Sequence, residues 1–350
     1  MCNPSPAYAT SMVFSDVGKP LEAVTIPIPT TSNEEVLVKI EYTTICTSDV
    51  HTYLGRRHGP MPCVLGHEII GRITAKGTGI DTDFAGENLQ VGDLVTWCVY
   101  AFDPHGNTMA LRGMPQKSPG LYKYGHQEFT LEDGLNGGFS THCVLKKGTA
   151  IFKLPGSLTP REAAPINCTH ATIAGALRLA GNVKNKNVLV TGCGMLGLSA
   201  CAMSKEAAAA KVVAMDINRG RLEMATRFGA ENTPVTKEFD IVIDTTGVPA
   251  VMERGLSCLN TGGTAVWVGA VYSQPATLVN AEMIVKNLLT IKGLHNYTPD
   301  DLAQAINFIK KHRRKYPFDG LVGKEFPLEQ IDEALQQATR GQYYRLGICS

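Results

Sequence analysis

The stretch that decides the fold is Asn187–Gly197, NVLVTGCGMLG. Asn187 to Thr191 is a short apolar run of strand type, and Gly192-Cys193-Gly194-Met195-Leu196-Gly197 spells G-x-G-x-x-G. That hexapeptide alone is a weak signal. Here it follows a strand and opens a helical pattern, which is the context a dinucleotide-binding turn requires. Glycines permit the tight turn and the close approach of a pyrophosphate, while the helix N-terminus offers N–H groups and the positive end of its dipole. The next strand, KVVAM, leads into Asp216, nineteen residues past Gly197. An acid about 20 residues on is placed to accept from the adenosine 2′-hydroxyl and to repel a 2′-phosphate. The reading is therefore NAD(H) over NADP(H), held by Gly192, Gly194, Met195, Leu196, Gly197 and Asp216. Arg219 and Arg221 weigh the other way, since a nearby arginine can hold a 2′-phosphate.

Working outward, helical patterns at 195–210, 220–228 and 249–259 alternate with strands at 211–215, 240–243 and 264–268. Such alternation predicts βαβ units and a doubly wound parallel sheet. Upstream the chain is strand-rich, with β-branched and aromatic runs at 35–45, 93–100 and 139–146 separated by Gly/Pro-containing loops. Near residue 294 the pattern changes again. Thr298-Pro299-Asp300-Asp301 has a capping residue, a proline for the first helical position and acids for the first turn. A second helix is expected over 328–339, and the tail YYRLGIC as a strand returning to the first domain. The expected division is 1–155 with 294–350 as a β-rich domain, and 156–293 as the nucleotide-binding domain. A strand near 264–271 is expected to extend the sheet across a homo-oligomer, dimer or tetramer.

Bulk properties agree with an α/β globule. The 350 residues are 44% hydrophobic and 19% charged, with net charge +1, which suits two domains and sizeable cores. No basic field argues for nucleic acid, and the run Lys310–Lys315 is expected to be a solvated helix end. No apolar run approaches the ~20 residues of a membrane span, and no signal peptide is apparent. The ten cysteines are expected as reduced thiols or metal ligands, and the compartment as the cytoplasm.

A second constellation carries metal chemistry. Cys46 leads Cys46-Thr47-Ser48-Asp49-Val50-His51, Gly66-His67-Glu68 follows, and Cys168 lies far downstream before a helix. Each residue alone has an ordinary explanation, a buried thiol acting as a small hydrophobe or a hydrogen-bonded imidazole. Together, two Cys and one His with a fourth position open make a catalytic zinc set.

Gly66-His67-Glu68-x-x-Gly71, continuing to Gly77 and Ile80, resembles the zinc alcohol dehydrogenase signature of the medium-chain dehydrogenase/reductase superfamily. Cys46-x-x-Asp49 and the glycine fingerprint fall in that family's order, and the resemblance covers essentially the whole chain. It implies a GroES-like catalytic domain built from both chain ends around a Rossmann domain. It implies Cys46, His67 and Cys168 as zinc ligands, and Glu68 as an acid beside the metal able to exchange onto it. Asp49 becomes an orienting partner of His67, with a turn or cap residue as the plain alternative. Ser48 and His51 become a proton relay, with a capping Ser and a surface His as the alternative. The implied activity is that of an NAD-linked alcohol dehydrogenase or aldehyde reductase, interconverting an alcohol and an aldehyde.

Many relatives carry a structural zinc on four closely spaced cysteines after about residue 95. Here that stretch holds only Cys98, and Asp103 and His105 are too few to replace the set. One zinc per chain is expected. Arg56 and Arg57 suit an anionic substrate, because guanidinium pairs bidentately with carboxylate or phosphonate, unless they are simply solvated. Segments such as Gly55-Arg56-Arg57, Lys123-Tyr124-Gly125-His126 and Asn167-Cys168-Thr169 resemble a phosphonate-catabolism subgroup of the family. The rivals are a polyol or amino-alcohol dehydrogenase of threonine type, a zinc-free quinone reductase, and a non-catalytic nucleotide-binding protein on the same scaffold.

Overall fold

The computed structural model describes residues 8–103, 105 and 107–350. The chain divides into two compact units. One comprises the residues up to Cys168 with Thr298–Lys310 and Phe318–Ser350, and the other Thr169–Tyr297 with Lys311–Pro317. These divisions fall somewhat later in the chain than 155/156 and 293/294, because Cys168 packs with the β-rich unit and the first turns after Gly293 stay with the parallel sheet.

The second unit is built on five parallel strands in the order Lys211–Met215, Asn187–Thr191, Phe239–Asp244, Leu259–Trp267, Thr290–Gly293. Val188, Leu189 and Val190 are fully buried, as expected where helices cover both faces of a parallel sheet and strands read as continuous apolar runs. The order reverses at Asn187–Thr191, so the glycine turn sits at the switch point where such sheets bind ligands. Asp244, fully buried, fastens the carboxyl ends there. Its Oδ1 accepts from the hydroxyls of Thr191 at 2.6 Å and Thr246 at 2.7 Å, and its Oδ2 from the Gly247 N–H at 2.8 Å. The strand expected at the sheet edge is internal. Leu259–Trp267 lies between Phe239–Asp244 and Thr290–Gly293, and Thr290–Gly293 is the edge. A four-residue strand after a seven-residue helix carried too little apolar periodicity to be seen in the sequence.

The first unit holds an eight-stranded sheet in which Arg345–Cys349, Val36–Thr44 and Glu68–Lys76 lie side by side, with a three-stranded sheet of Glu22–Pro27, Tyr8–Phe14 and Cys63–Val64. The C-terminal strand does return to this unit, antiparallel to Val36–Thr44 with Ile348 opposite Thr43. Alternate residues Val36, Val38 and Ile40 enter one core with Ile69, Ile73, Trp97 and Tyr124. Phe14, Leu65, Phe139, Leu335 and Ile348 form another.

The helix Pro299–His312 starts as expected, with the Asp301 carboxylate accepting from the Thr298 N–H at 2.8 Å. The basic run at its end is not merely solvated. Lys315 and the Tyr316 hydroxyl both bond Glu206, an anchor 109 residues away in sequence that the pattern could not show. The expected helix 328–339 begins as a single 3-10 turn and is α-helical over Ile331–Thr339.

Candidate metal and dinucleotide sites

Cys46 ends the loop after the strand Val36–Thr44 and caps the helix Thr47–Tyr53. The third residue of that helix, Asp49, is fully buried and serves two structures at once. Its Oδ2 accepts from the Cys46 N–H at 2.9 Å, closing the first turn, and its Oδ1 lies 3.0 Å from His67 Nδ1. An aspartate there leaves His67 Nε2 for a metal, the arrangement by which a carboxylate fixes a ligating imidazole. Asn167 holds the other side, donating to the carbonyl oxygens of His67 and Trp97, each at 3.0 Å. The next residue is Cys168. The donor atoms of Cys46, His67 and Cys168 all lie within 4.8 Å of one another.

Three buried or half-buried soft and borderline donors converging in this way fit a zinc ion with an open fourth position. The electrostatics fit too. Cys46 is held well below the ordinary thiol range by the hydrogen bond from Cys168, against the cost of burial, with Arg345 and His67 adding to the effect. Cys168 is pushed correspondingly up by the same bond and by burial. Burial opposes a charged His67, yet Asp49 and Cys46 hold its pKa well above the usual imidazole value.

Glu68 stands outside this set. Both its oxygens are taken, Oε2 by the Thr44 hydroxyl at 2.6 Å and Arg345 Nε at 2.7 Å, and Oε1 by Arg345 Nη2 at 2.8 Å. In this structure the Arg345 guanidinium fork holds the Glu68 carboxylate. Arg345, from the C-terminal strand, also points Nη2 at Cys46 Sγ, 3.5 Å away. Neither Arg345 nor Asn167 stood out as a site residue in the sequence.

Ser48 is half-buried with its Oγ 3.3 Å from His67 Nε2. His51, one turn on, is half-buried. Burial, then the charge of Arg56, and to a lesser degree Arg57, lowers its pKa. The two arginines differ. Arg56 is exposed, whereas Arg57 is half-buried and places Nη1 3.2 Å from Nε2 of His126. The His126 ring in turn lies 5.5 Å from that of His67, centroid to centroid. Asp103 accepts from the backbone N–H of His105, and among the described residues neither joins a metal-type cluster.

In the parallel-sheet unit, Gly192 has φ +86° and Gly194 caps the helix Met195–Glu206. A Cβ on Gly197 would overlap the Gly192 carbonyl oxygen, so the third glycine is required for helix and turn to approach. Asp216 closes the turn from the neighbouring strand. Its Oδ2 accepts from the Cys193 N–H at 2.6 Å and its Oδ1 from the Asn218 N–H at 2.8 Å. The carboxylate is thereby fixed beside the glycine turn.

Comparison with known proteins agrees with this geometry. Residues 32–156 match the alcohol dehydrogenase GroES-like domain, and residues 196–311 match the zinc-binding dehydrogenase domain. The 5-exo-hydroxycamphor dehydrogenase of Pseudomonas putida is 26% identical over 95% of this chain and 96% of its own. A sorbitol dehydrogenase of Halalkalibacterium halodurans is 27% identical over 90% and 92%. The crystal structure of an alcohol dehydrogenase from Thermotoga maritima superposes with TM-score 0.91 at 23% identity, over 98% of this chain and 99% of that one. The chain belongs to the zinc-binding, medium-chain alcohol dehydrogenases. It is an oxidoreductase acting on CH–OH donors.

Proposed function

We propose that the protein is an NAD-linked dehydrogenase with one catalytic zinc per chain, acting on a small anionic, phosphonate-like alcohol or aldehyde, and that it works as a homo-oligomer. The convergence of Cys46, His67 and Cys168 within 4.8 Å carries the reading. The β-rich unit, up to Cys168 with Thr298–Lys310 and Phe318–Ser350, supplies the metal and substrate groups, and the parallel-sheet unit the dinucleotide site. When bound, zinc supplies a Lewis acid that favours the deprotonated alcohol or polarises a carbonyl, and NAD supplies the hydride acceptor.

The chain's own groups do the rest. Asp49 fixes the His67 ring. Ser48 accepts the hydroxyl proton, and His51, whose lowered pKa keeps it a neutral acceptor near neutrality, carries that proton toward solvent. The Arg345 charge favours the ionised forms of Glu68 and Cys46. Arg57 meets the anionic group, while Arg56 stays in solvent and acts through His51. Asp216, already fixed by two N–H groups, supports NAD over NADP because its charge would repel a 2′-phosphate.

The test is metal analysis with nucleotide binding on one purified sample, followed by a panel of anionic and neutral alcohols. About one zinc per chain, tighter NAD than NADP and turnover led by anionic alcohols are expected. Retention of zinc in Cys46→Ser, or faster turnover of sorbitol or threonine than of any anionic alcohol, would overturn the corresponding part.

A further inference from the structure

Cys46, His67 and Cys168 come from three separate stretches of the β-rich unit, and two buried side chains tie them pairwise. Asp49 joins Cys46 to His67, accepting from the Cys46 N–H at 2.9 Å and holding His67 Nδ1 at 3.0 Å. Asn167 joins His67 to Cys168. It is the residue before Cys168, at the end of the 3-10 turn Ala164–Asn167, and is wholly buried. That turn packs on the strands Val36–Thr44, Glu68–Lys76 and Leu94–Ala101.

The setting of Asn167 in the sheet explains its residue type. The ladder between Glu68–Lys76 and Leu94–Ala101 runs through Arg72 opposite Leu94 and Gly71 opposite Val95. Further toward His67, side chains take over from it. The Thr96 hydroxyl donates to the Ile69 carbonyl at 2.9 Å, and Asn167 Nδ2 donates to the carbonyls of His67 and Trp97, at 3.0 Å each. Both partners of Nδ2 are carbonyl oxygens, so the NH2 end of the amide must face them, and its two N–H groups are matched one to each. An ionised aspartate has no N–H to offer and would set its charge against two carbonyl dipoles. A glutamine would carry the same amide one methylene further from the backbone that bears Cys168. The short carboxamide therefore sets how far the Cys168 backbone stands from the His67 backbone.

We propose that Asn167 is a positioning residue of the metal site, fixing the spacing of Cys168 and His67 through its amide and with it the sulfur–metal geometry. Ligands held by their own hydrogen-bonded supports keep one geometry and a higher metal affinity than ligands left to find it. The inference rests on the reading of this triad as a zinc site.

Zinc dissociation constants from chelator competition, together with the absorption spectrum of the cobalt(II)-substituted protein, test it. Asn167→Ala should raise the zinc constant by about 10- to 100-fold, the range for loss of a group that orients a ligand. The near-isosteric Asn167→Asp keeps the packing, so its loss reads the two donors alone, and it should weaken zinc at least as much. At saturating cobalt the thiolate-to-metal absorption of both variants should shift or weaken, which a merely structural role would not cause. Thr96→Val removes a bond from the same gap between the strands, but from a residue that neighbours no ligand. It should keep the wild-type zinc constant and cobalt spectrum. Far-UV circular dichroism shows which variants are folded.

Wild-type zinc affinity and an unchanged cobalt spectrum in folded Asn167→Ala or Asn167→Asp would overturn the assignment. Equal loss of zinc in Thr96→Val would overturn it too, since the gap between the strands and not the amide would then set the site. A wild-type protein that takes up neither zinc nor cobalt would overturn the zinc reading itself, and the role of Asn167 with it.

Discussion

Arg345 grips Glu68 through two parallel contacts, Nε to Oε2 at 2.7 Å and Nη2 to Oε1 at 2.8 Å, with both side chains nearly or wholly excluded from water. The pair joins the last strand of the chain to the strand that follows His67, and Nη2 also reaches Cys46 Sγ. Removing one member leaves an uncompensated buried charge, a loss of roughly 3–5 kcal/mol. Arg345→Met should therefore lower the urea midpoint by that equivalent. The double variant Arg345→Met with Glu68→Gln should lose less than the two single changes summed. Strict additivity of the urea-derived free energies would show that the pair does not act as a unit.

Metal retention tests the buried support of His67. Asp49→Asn keeps the shape but removes the charge that orients the ring through Nδ1, and loss of such a partner weakens metal affinity by about 10- to 100-fold. The zinc dissociation constant, measured by competition with a chelator, should rise by that factor, whereas Cys168→Ser should lose most of the zinc outright. Unchanged zinc affinity in the Asp49→Asn variant would confine Asp49 to capping the helix Thr47–Tyr53.

The two halves of the site differed in how far the sequence revealed them. The turn Gly192–Gly197 and Asp216 were legible because their geometry is local: a strand, a turn, a helix start and one acid on the adjacent strand. Cys46, His67 and Cys168 were legible only through their chemistry and their family order, since nothing in their spacing brings Cys168 to the other two. Arg345 was not legible. It lies 277 residues from Glu68 in a strand whose return to the sheet was foreseen but whose register was not. Lys123-Tyr124-Gly125-His126 was visible only as a family-like segment, and its place beside His67 was not, since it is Gly125 packing on Gly66 that brings His126 there. Arg56 and Arg57 were read as a pair, and the backbone turn separates them.

Gly197→Ala probes the dinucleotide turn. The added methyl meets the Gly192 carbonyl, which is backbone and cannot swing aside. The turn and the N-terminus of Met195–Glu206 must then part, and the N–H groups that would meet a pyrophosphate lose their aim. NAD binding, followed by fluorescence titration, should weaken by at least about tenfold, an overpacking cost of roughly 1–3 kcal/mol. Zinc content, which depends on residues of the other unit, should be unchanged. Unaltered NAD affinity would mean that this turn does not carry the cofactor.

A pH effect on stability follows from His142, which lies in the strand His142–Leu145 opposite Lys39 and far in sequence from either site. Its ring is buried, with Nδ1 3.0 Å from the Thr141 hydroxyl. Burial first, and the Lys39 charge second, bring its pKa down to about 4 from the ordinary 6.5. Below pH 6.5 the unfolded chain takes up a proton that the folded protein refuses until about pH 4. Stability contributed by the neutral ring is therefore complete above 6.5, is lost as pH falls through that window, and changes no further below it. Linkage caps the slope at about 1.4 kcal/mol per pH unit. In paired urea titrations, His142→Gln should fall less steeply than the wild type between pH 6.5 and 4 and run parallel to it above about 7. Parallel curves throughout the acid range would show that His142 protonates equally well in the folded chain.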